Sequence, residues 1–237
     1  MQGRFKNAII ILGVLLLILI LNFEVLTKNS WKQWNLPLAG RIIVLDPGHG
    51  GPDGGAESGD IQEDDIALEI TKKVRDYLQE AGALVVMTRE TDTDLADEDL
   101  KGLSKRKVQD LKRRVEVIQE SEADMFVSIH LNKIPASQWR GAQTFYHPKS
   151  SDNKKLASFI QDSLRKDLEN TDRLAKGIDH VYLLKESEVP SALVEVGFLS
   201  NPLEKELLTQ DDYQNKIAES VYKGIFRYYT GEKEPPS

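Results

Sequence analysis

The 237-residue chain contains no cysteine, which removes disulfides, thiolate metal sites and cysteine nucleophiles together. It has little histidine, four residues in all, so any two in matched positions carry weight. Basic residues are outnumbered, 31 against 38 acidic ones for a net charge of −7, and this argues against a nucleic-acid polyanion as partner. A neutral or cationic substrate suits the balance better. Long apolar runs are scarce too: the run Ala8 to Leu21 is short against the roughly 17–25 residues of a typical spanning helix. What is present, 40% hydrophobic and 29% charged residues, describes a globular protein that can bury a core, with length for one domain and an attached segment.

Arg4 and Lys6 precede that apolar run, the arrangement of an export signal. No small-residue cleavage site follows in Asn22-Phe23-Glu24-Val25-Leu26-Thr27. Residues 1–27 therefore read as a signal peptide or as an uncleaved signal anchor that would tie the protein to a membrane. Residues 28–40, with two tryptophans and a proline, read as a linker, 41–230 as the folded domain and 231–237 as a tail.

From Arg41 onward the hydrophobic pattern alternates between two periods. Apolar runs suited to strands lie near 41–46, 83–88, 124–130, 142–146, 180–184 and 191–197. Helical stripes lie between or after them: Ile66, Ile70, Val74 and Leu78; Val108, Leu111, Val115 and Ile118; Leu156, Ile160, Leu164 and Leu168; Ile217, Val221 and Ile225. Alternating strands and helices predict a single α/β domain, its central sheet largely parallel or mixed and covered by helices on both faces.

Two histidines sit where such sheets bind ligands, just past the carboxyl ends of strands. His49 lies in the glycine-rich turn Asp46-Pro47-Gly48-His49-Gly50-Gly51 after the first strand, and His130 ends the strand that begins near Asp124. Histidine is the commonest metal ligand. Glu63, in Gln62-Glu63-Asp64-Asp65, opens the next helix close to that strand end, although first-turn acids also simply suit a helix dipole. Glu195 lies within an apolar strand, where an unpartnered carboxylate is costly, so it pairs with something or faces an open site. Two histidines and a carboxylate around zinc, with water completing the shell, form a hydrolytic ligand set. A second carboxylate, for which Glu195 is suited, would act as general base and then as proton donor.

The motifs Asp46 to Gly51, Glu63 ahead of a helix, Ser128-Ile129-His130-Leu131-Asn132, Gly141-Ala142-Gln143-Thr144-Phe145-Tyr146 and Val194-Glu195-Val196-Gly197-Phe198-Leu199-Ser200-Asn201 together resemble the zinc-dependent N-acetylmuramoyl-L-alanine amidases of bacterial cell walls. The resemblance runs from about Arg41 to Tyr229. It implies one zinc ion held by His49, Glu63 and His130, with Glu195 as catalytic acid/base. Arg89 and Arg114 also match family positions, with structural or substrate-positioning duties, and Asn132 is a further candidate for positioning substrate. Leu131 and Gln119 depart from the usual pattern, where a small residue and Asn are common.

With no wall-binding repeats in the sequence, its N-terminal apolar segment and the stretch Lys133 to Arg140, the chain is most similar to the germination-specific amidases of endospore formers, which free muramic acid for δ-lactam formation in the spore cortex. The implied substrate is peptidoglycan, and the implied place is the outer face of the cytoplasmic membrane, the cell wall or the spore intermembrane space. A vegetative autolysin, a peptidoglycan endopeptidase and an inactive wall-binding scaffold remain as alternatives.

Other features read more plainly. His147 and His180 have no ligand-like context. Lys105-Arg106-Lys107 and Lys112-Arg113-Arg114 lie on a helix with its apolar stripe already defined and read as a solvated face. Asp92, Asp94, Asp97, Glu98 and Asp99 lack the turn glycine and terminal acid of an EF-hand and read as a flexible loop near a groove. The glycines of the turn are not followed by Gly-Lys-Ser/Thr, so they form no Walker loop.

Overall fold

The computed structural model describes residues 36–235; the expected export segment and most of the expected linker lie outside them. Strand β1 (Ile42–Pro47) leads through a short hairpin, β2 (Glu57–Ser58) and β3 (Ile61–Gln62), into helix α1 (Glu63–Glu80). Then come β4 (Leu84–Met87), α2 (Leu103–Glu120), β5 (Met125–Asn132), β6 (Gln143–Tyr146) and α3 (Ser151–Leu168). The chain closes with β7 (Lys176–Gly177), α4 (Tyr182–Glu186), β8 (Ser191–Phe198), α5 (Pro202–Leu208) and α6 (Asp211–Tyr229).

Six strands form one sheet in the order β4-β1-β5-β8-β6-β7. β4, β1, β5 and β8 run parallel, whereas β6 is antiparallel to β8 and carries β7 alongside it. The expected α/β domain is therefore present with a mixed sheet. Because successive side chains on a strand point to opposite faces, the sheet divides its residues cleanly. Ile43, Leu45, Met125, Val127, Ala192 and Val194 join the core under α1, α3 and α6. Val44, Phe126 and Leu193 join a smaller core with Val115 and Ile118 of α2 and Leu183 and Leu184 of α4.

The residues of opposite parity near the strand ends are polar. Asp46 continues the Val44 face, Ser128 and His130 continue that of Phe126, and Glu195 continues that of Leu193. These four side chains consequently gather on the α2 side, at the carboxyl end of the parallel strands. That same alternation, which packs the core, thus also aims the chemistry.

Two expectations are corrected here. The run near 180–184 is a helix: Val181 precedes α4, whose Leu183 and Leu184 pack beneath α2, and a short apolar run does not distinguish a buried strand from a buried helical turn. Val108, placed in the α2 stripe, is 56% exposed, so the buried face of that helix begins further along. The short elements β2, β3, β7 and α5 carried no periodic signal.

Candidate metal centre

The turn after β1 is built to bring His49 against His130. Gly48 N–H donates to the Ile129 carbonyl at 2.9 Å, tying the turn to β5. A Cβ on Gly48 would stand 2.4 Å from Cε1 of His130, and one on Gly55 would stand 2.6 Å from Glu63 Oε2. Glycine is needed at both places because the His130 and Glu63 side chains occupy that space. His49 itself has φ of 60°, the left-handed region that costs a residue with a Cβ free energy and is held by its surroundings.

Those surroundings are two buried arginines. Arg114 donates to Asp46 Oδ1 (2.6 Å), to the Pro47 carbonyl (2.8 Å) and to the His49 carbonyl (2.6 Å), and its Nε meets Asp110. Arg89 donates to the carbonyls of Pro47 (3.1 Å), Gly48 (2.8 Å), Asp64 (2.8 Å) and Thr91 (3.0 Å). Both are almost fully buried. They therefore fasten the turn, and the substrate-positioning duty considered for them does not fit their contacts. Asn132, by contrast, does line the cleft.

Asp46 anchors the arrangement. Burial alone would raise its pKa, but the Arg114 guanidinium and hydrogen bonds from Ser128 (2.5 Å) and Thr88 (2.7 Å) outweigh it and hold the carboxyl down at about 2.

Around the site, His49 Nε2 lies 3.4 Å from Glu63 Oε2, and His130 Nδ1 lies 2.9 Å from Glu63 Oε1. One donor atom from each of the three residues falls within 4.8 Å of the others. Ligands at zinc distances of about 2.0–2.2 Å surround an ion at comparable mutual separations. The second lone pairs of Glu63 are already satisfied, by the backbone N–H groups of Ala56 (2.8 Å) and Leu131 (2.9 Å), which fix the carboxylate between the imidazoles. Burial disfavours its charge, yet the two histidines hold its pKa far below the usual range. Behind His49, Nδ1 lies 3.0 Å from Asp53 Oδ2, and that oxygen accepts from Lys107 Nζ at 2.8 Å. Burial would lower the His49 pKa, but Asp53 and Glu63 raise it to about 9.

Glu195 lines the same open cleft, of about 480 Å³, with His49, Glu63, His130 and Asn132. It stands opposite His130 in the β5–β8 register. Its Oε2 is buried and has no hydrogen-bond partner among the described residues. Burial pushes its pKa up to about 7, with His130 pulling down and Glu63 adding to the push. A carboxylic acid poised near neutrality in the same cleft as two histidines and a second carboxylate suits proton transfer.

The structure also corrects the reading of the charged surface. The acidic loop is pinned: Asp94 meets Arg106 at 2.5 Å, Asp97 meets Arg113 at 2.6 Å, and Asp92 accepts from Gly51 N–H at 2.6 Å. Much of the basic face of α2 is thus paired with that loop, and Lys107 reaches the metal centre through Asp53. His147 and His180 lie outside the cleft, His180 on the surface. Sequence reasoning missed Asp46, Asp53 and Lys107, whose roles depend on neighbours distant along the chain. An Asp four residues after a candidate ligand was the only available signal, and it is also what a turn contains.

A family model described as N-acetylmuramoyl-L-alanine amidase matches residues 43–227. A germination-specific N-acetylmuramoyl-L-alanine amidase of Bacillus subtilis (strain 168) is 53% identical over 236 residues, covering 100% of both chains. Among solved structures, the CwlD amidase from Clostridioides difficile, in complex with the GerS lipoprotein, superposes with a TM-score of 0.80 at 43% identity, covering 81% of this chain and 100% of that one. An N-acetylmuramoyl-L-alanine amidase from Clostridium difficile 630 gives 0.71 at 32% identity, over 79% and 96%.

Proposed function

The chain belongs to the N-acetylmuramoyl-L-alanine amidase family, and from that premise we propose that it hydrolyses the amide between N-acetylmuramic acid and L-alanine of peptidoglycan through one zinc ion held by His49, Glu63 and His130. The observation that carries the mechanism is Glu195, a buried carboxyl with an unpartnered oxygen in the cleft where those three donors converge. Neutral imidazoles and a carboxylate in this number are the donors zinc takes in hydrolytic sites. Zinc held by these residues would supply a Lewis acid for the scissile carbonyl and lower the pKa of a bound water. Glu195 accepts the proton of the attacking water and returns it to the alanine nitrogen as the C–N bond breaks. Glu63, locked by the Ala56 and Leu131 amides, keeps its geometry through the cycle, and Asn132 at the rim orients the substrate.

Glu195→Gln tests this division of labour. The variant is expected to retain stoichiometric zinc by metal analysis and to lose at least about a hundredfold in rate; an active Glu195→Gln enzyme sinks the mechanism. Digested peptidoglycan should yield peptides with a new α-amino group on L-alanine and intact glycan. New amino groups on diaminopimelate or D-alanine would instead identify an endopeptidase.

The likeness to a germination-specific enzyme across the full chain supports a role in spore-cortex peptidoglycan, with the freed muramic acid going on to the δ-lactam. The action then lies outside the cytoplasmic membrane, as Arg4 and Lys6 ahead of the apolar run also favour. An export-dependent reporter fused after Ser237 should be active; activity of a cytoplasmic reporter alone refutes this placement. Among the described residues no helix is long and apolar enough to cross a membrane.

A further inference from the structure

The metal end of the sheet carries a second hollow, of about 680 Å³. β6 runs antiparallel to β8 with Gln143 opposite Glu195, so the residues before Gln143 lie beyond the metal-side end of β8, about one strand spacing of 4.8 Å across. Trp139 and Arg140 stand there. Arg173 fixes this stretch by donating to the carbonyls of Arg140 (2.6 Å) and Gly141 (2.8 Å). Its guanidinium lies 5.9 Å from the Trp139 ring centre and 5.4 Å from that of Phe198. Phe198 pairs in register with Asn132, which lines the metal cleft. Phe198 therefore stands between a residue of each hollow, Arg173 and Asn132.

The second hollow brings both signs of charge together, with Arg140, Arg165 and Arg173 beside Glu169 and Asp172. Arg165 and Asn170 line it together, between the basic and the acidic side chains. A ligand complementary to that lining carries a carboxylate for the guanidinium groups and an ammonium for the acidic rim.

We propose that this hollow is a substrate subsite for a zwitterionic diamino-acid residue of the peptide stem, its carboxylate on Arg165 and its ammonium between Asn170 and the acidic rim. The assignment rests on the amidase reading above. Charge favours the peptide over the glycan, because the sugars offer at most the lactyl carboxylate and no ammonium, while a diamino-acid stem residue carries both a free carboxylate and an amine. Reach agrees: three extended residues from the scissile amide span about 10 Å, enough to pass from the Glu195 strand across its neighbour.

The test compares two synthetic substrates, N-acetylmuramoyl-L-alanyl-D-glutamate and the same molecule extended by meso-diaminopimelate. The wild-type zinc enzyme should favour the longer one in kcat/KM by about tenfold or more, as charge-assisted hydrogen bonds allow, and mainly through KM. In Arg165→Gln, and in Arg140→Glu at an exposed position where packing is not at stake, that preference should fall towards unity. An unchanged preference in both variants, or no preference in the wild type, overturns the proposal. Failure of the amidase reading looks different: the wild type would then release no alanyl peptide from either substrate, and the subsite would fall with it.

Discussion

Asp53 would govern the proposed ligand His49 without touching an ion held there. A histidine ligand is oriented by what its other ring nitrogen meets, and His49 Nδ1 meets Asp53 Oδ2 at 3.0 Å. Asp53 is itself held by Lys107 at 2.8 Å. Removing the carboxylate charge with Asp53→Asn should weaken zinc binding by about 10–100-fold, read by chelator competition on the metal-free protein. Lys107→Met leaves the carboxylate in place and should cost clearly less. Equal affinities in wild type and Asp53→Asn would show that His49 needs no such support. At this scale the cluster of His49 and His130 with Glu63 was legible because two scarce histidines stood at strand ends, and the place of Glu195 in the same cleft because a carboxylate interrupted an apolar strand. Asp53 was not, since an Asp four residues after a histidine is also what an ordinary turn contains, and Lys107, which holds it, lies 54 residues away.

The elements around the site are coupled through the buried pair of β1 and α2, Asp46 and Arg114. Burying both charges is favourable only while every hydrogen bond between them is made. Linkage gives the pair a pH signature. The folded pKa of Asp46, about 2, lies below its ordinary value of 3.8, so its stabilisation is fully present above about pH 4 and is lost as pH falls through the folded value. The difference corresponds to about 2 kcal/mol. Denaturant unfolding of wild type and Asp46→Asn should therefore differ most near about pH 5, and more than half of the Asp46-linked gap should close by about pH 2.5. A gap independent of pH would mean that Asp46 stabilises the fold by shape and not by charge. Arg114 was recognised in the sequence only as a matched position. Its service to the turn appears once α2 lies over β1, a packing fact that the helical stripe anticipates without naming the contact.

At the scale of the whole molecule, two-sided burial was legible because strand and helix periods alternate from Arg41 to the end, and the two cores follow from that alternation. Strand direction was not, since a period of two reads the same in either sense, and β6 and β7 reverse. This architecture bears on what metal removal does. The large cores lie between the sheet and its helices, whereas the ligands gather at one end of the strands, so the fold does not hang on the ion. Zinc at about a hundred times its Kd stabilises a folded chain by about 2.7 kcal/mol if the unfolded chain does not bind it. For a domain of this size each kcal/mol moves Tm by about 2–4 °C. Chelation is accordingly expected to abolish hydrolysis, to lower Tm by about 5–10 °C and to leave the far-ultraviolet circular dichroism unchanged at room temperature. Restoring zinc should return both activity and Tm. A chelated protein with the spectrum of an unfolded chain would contradict this, because the ion would then be holding together a fold whose cores, as they are packed, already close without it.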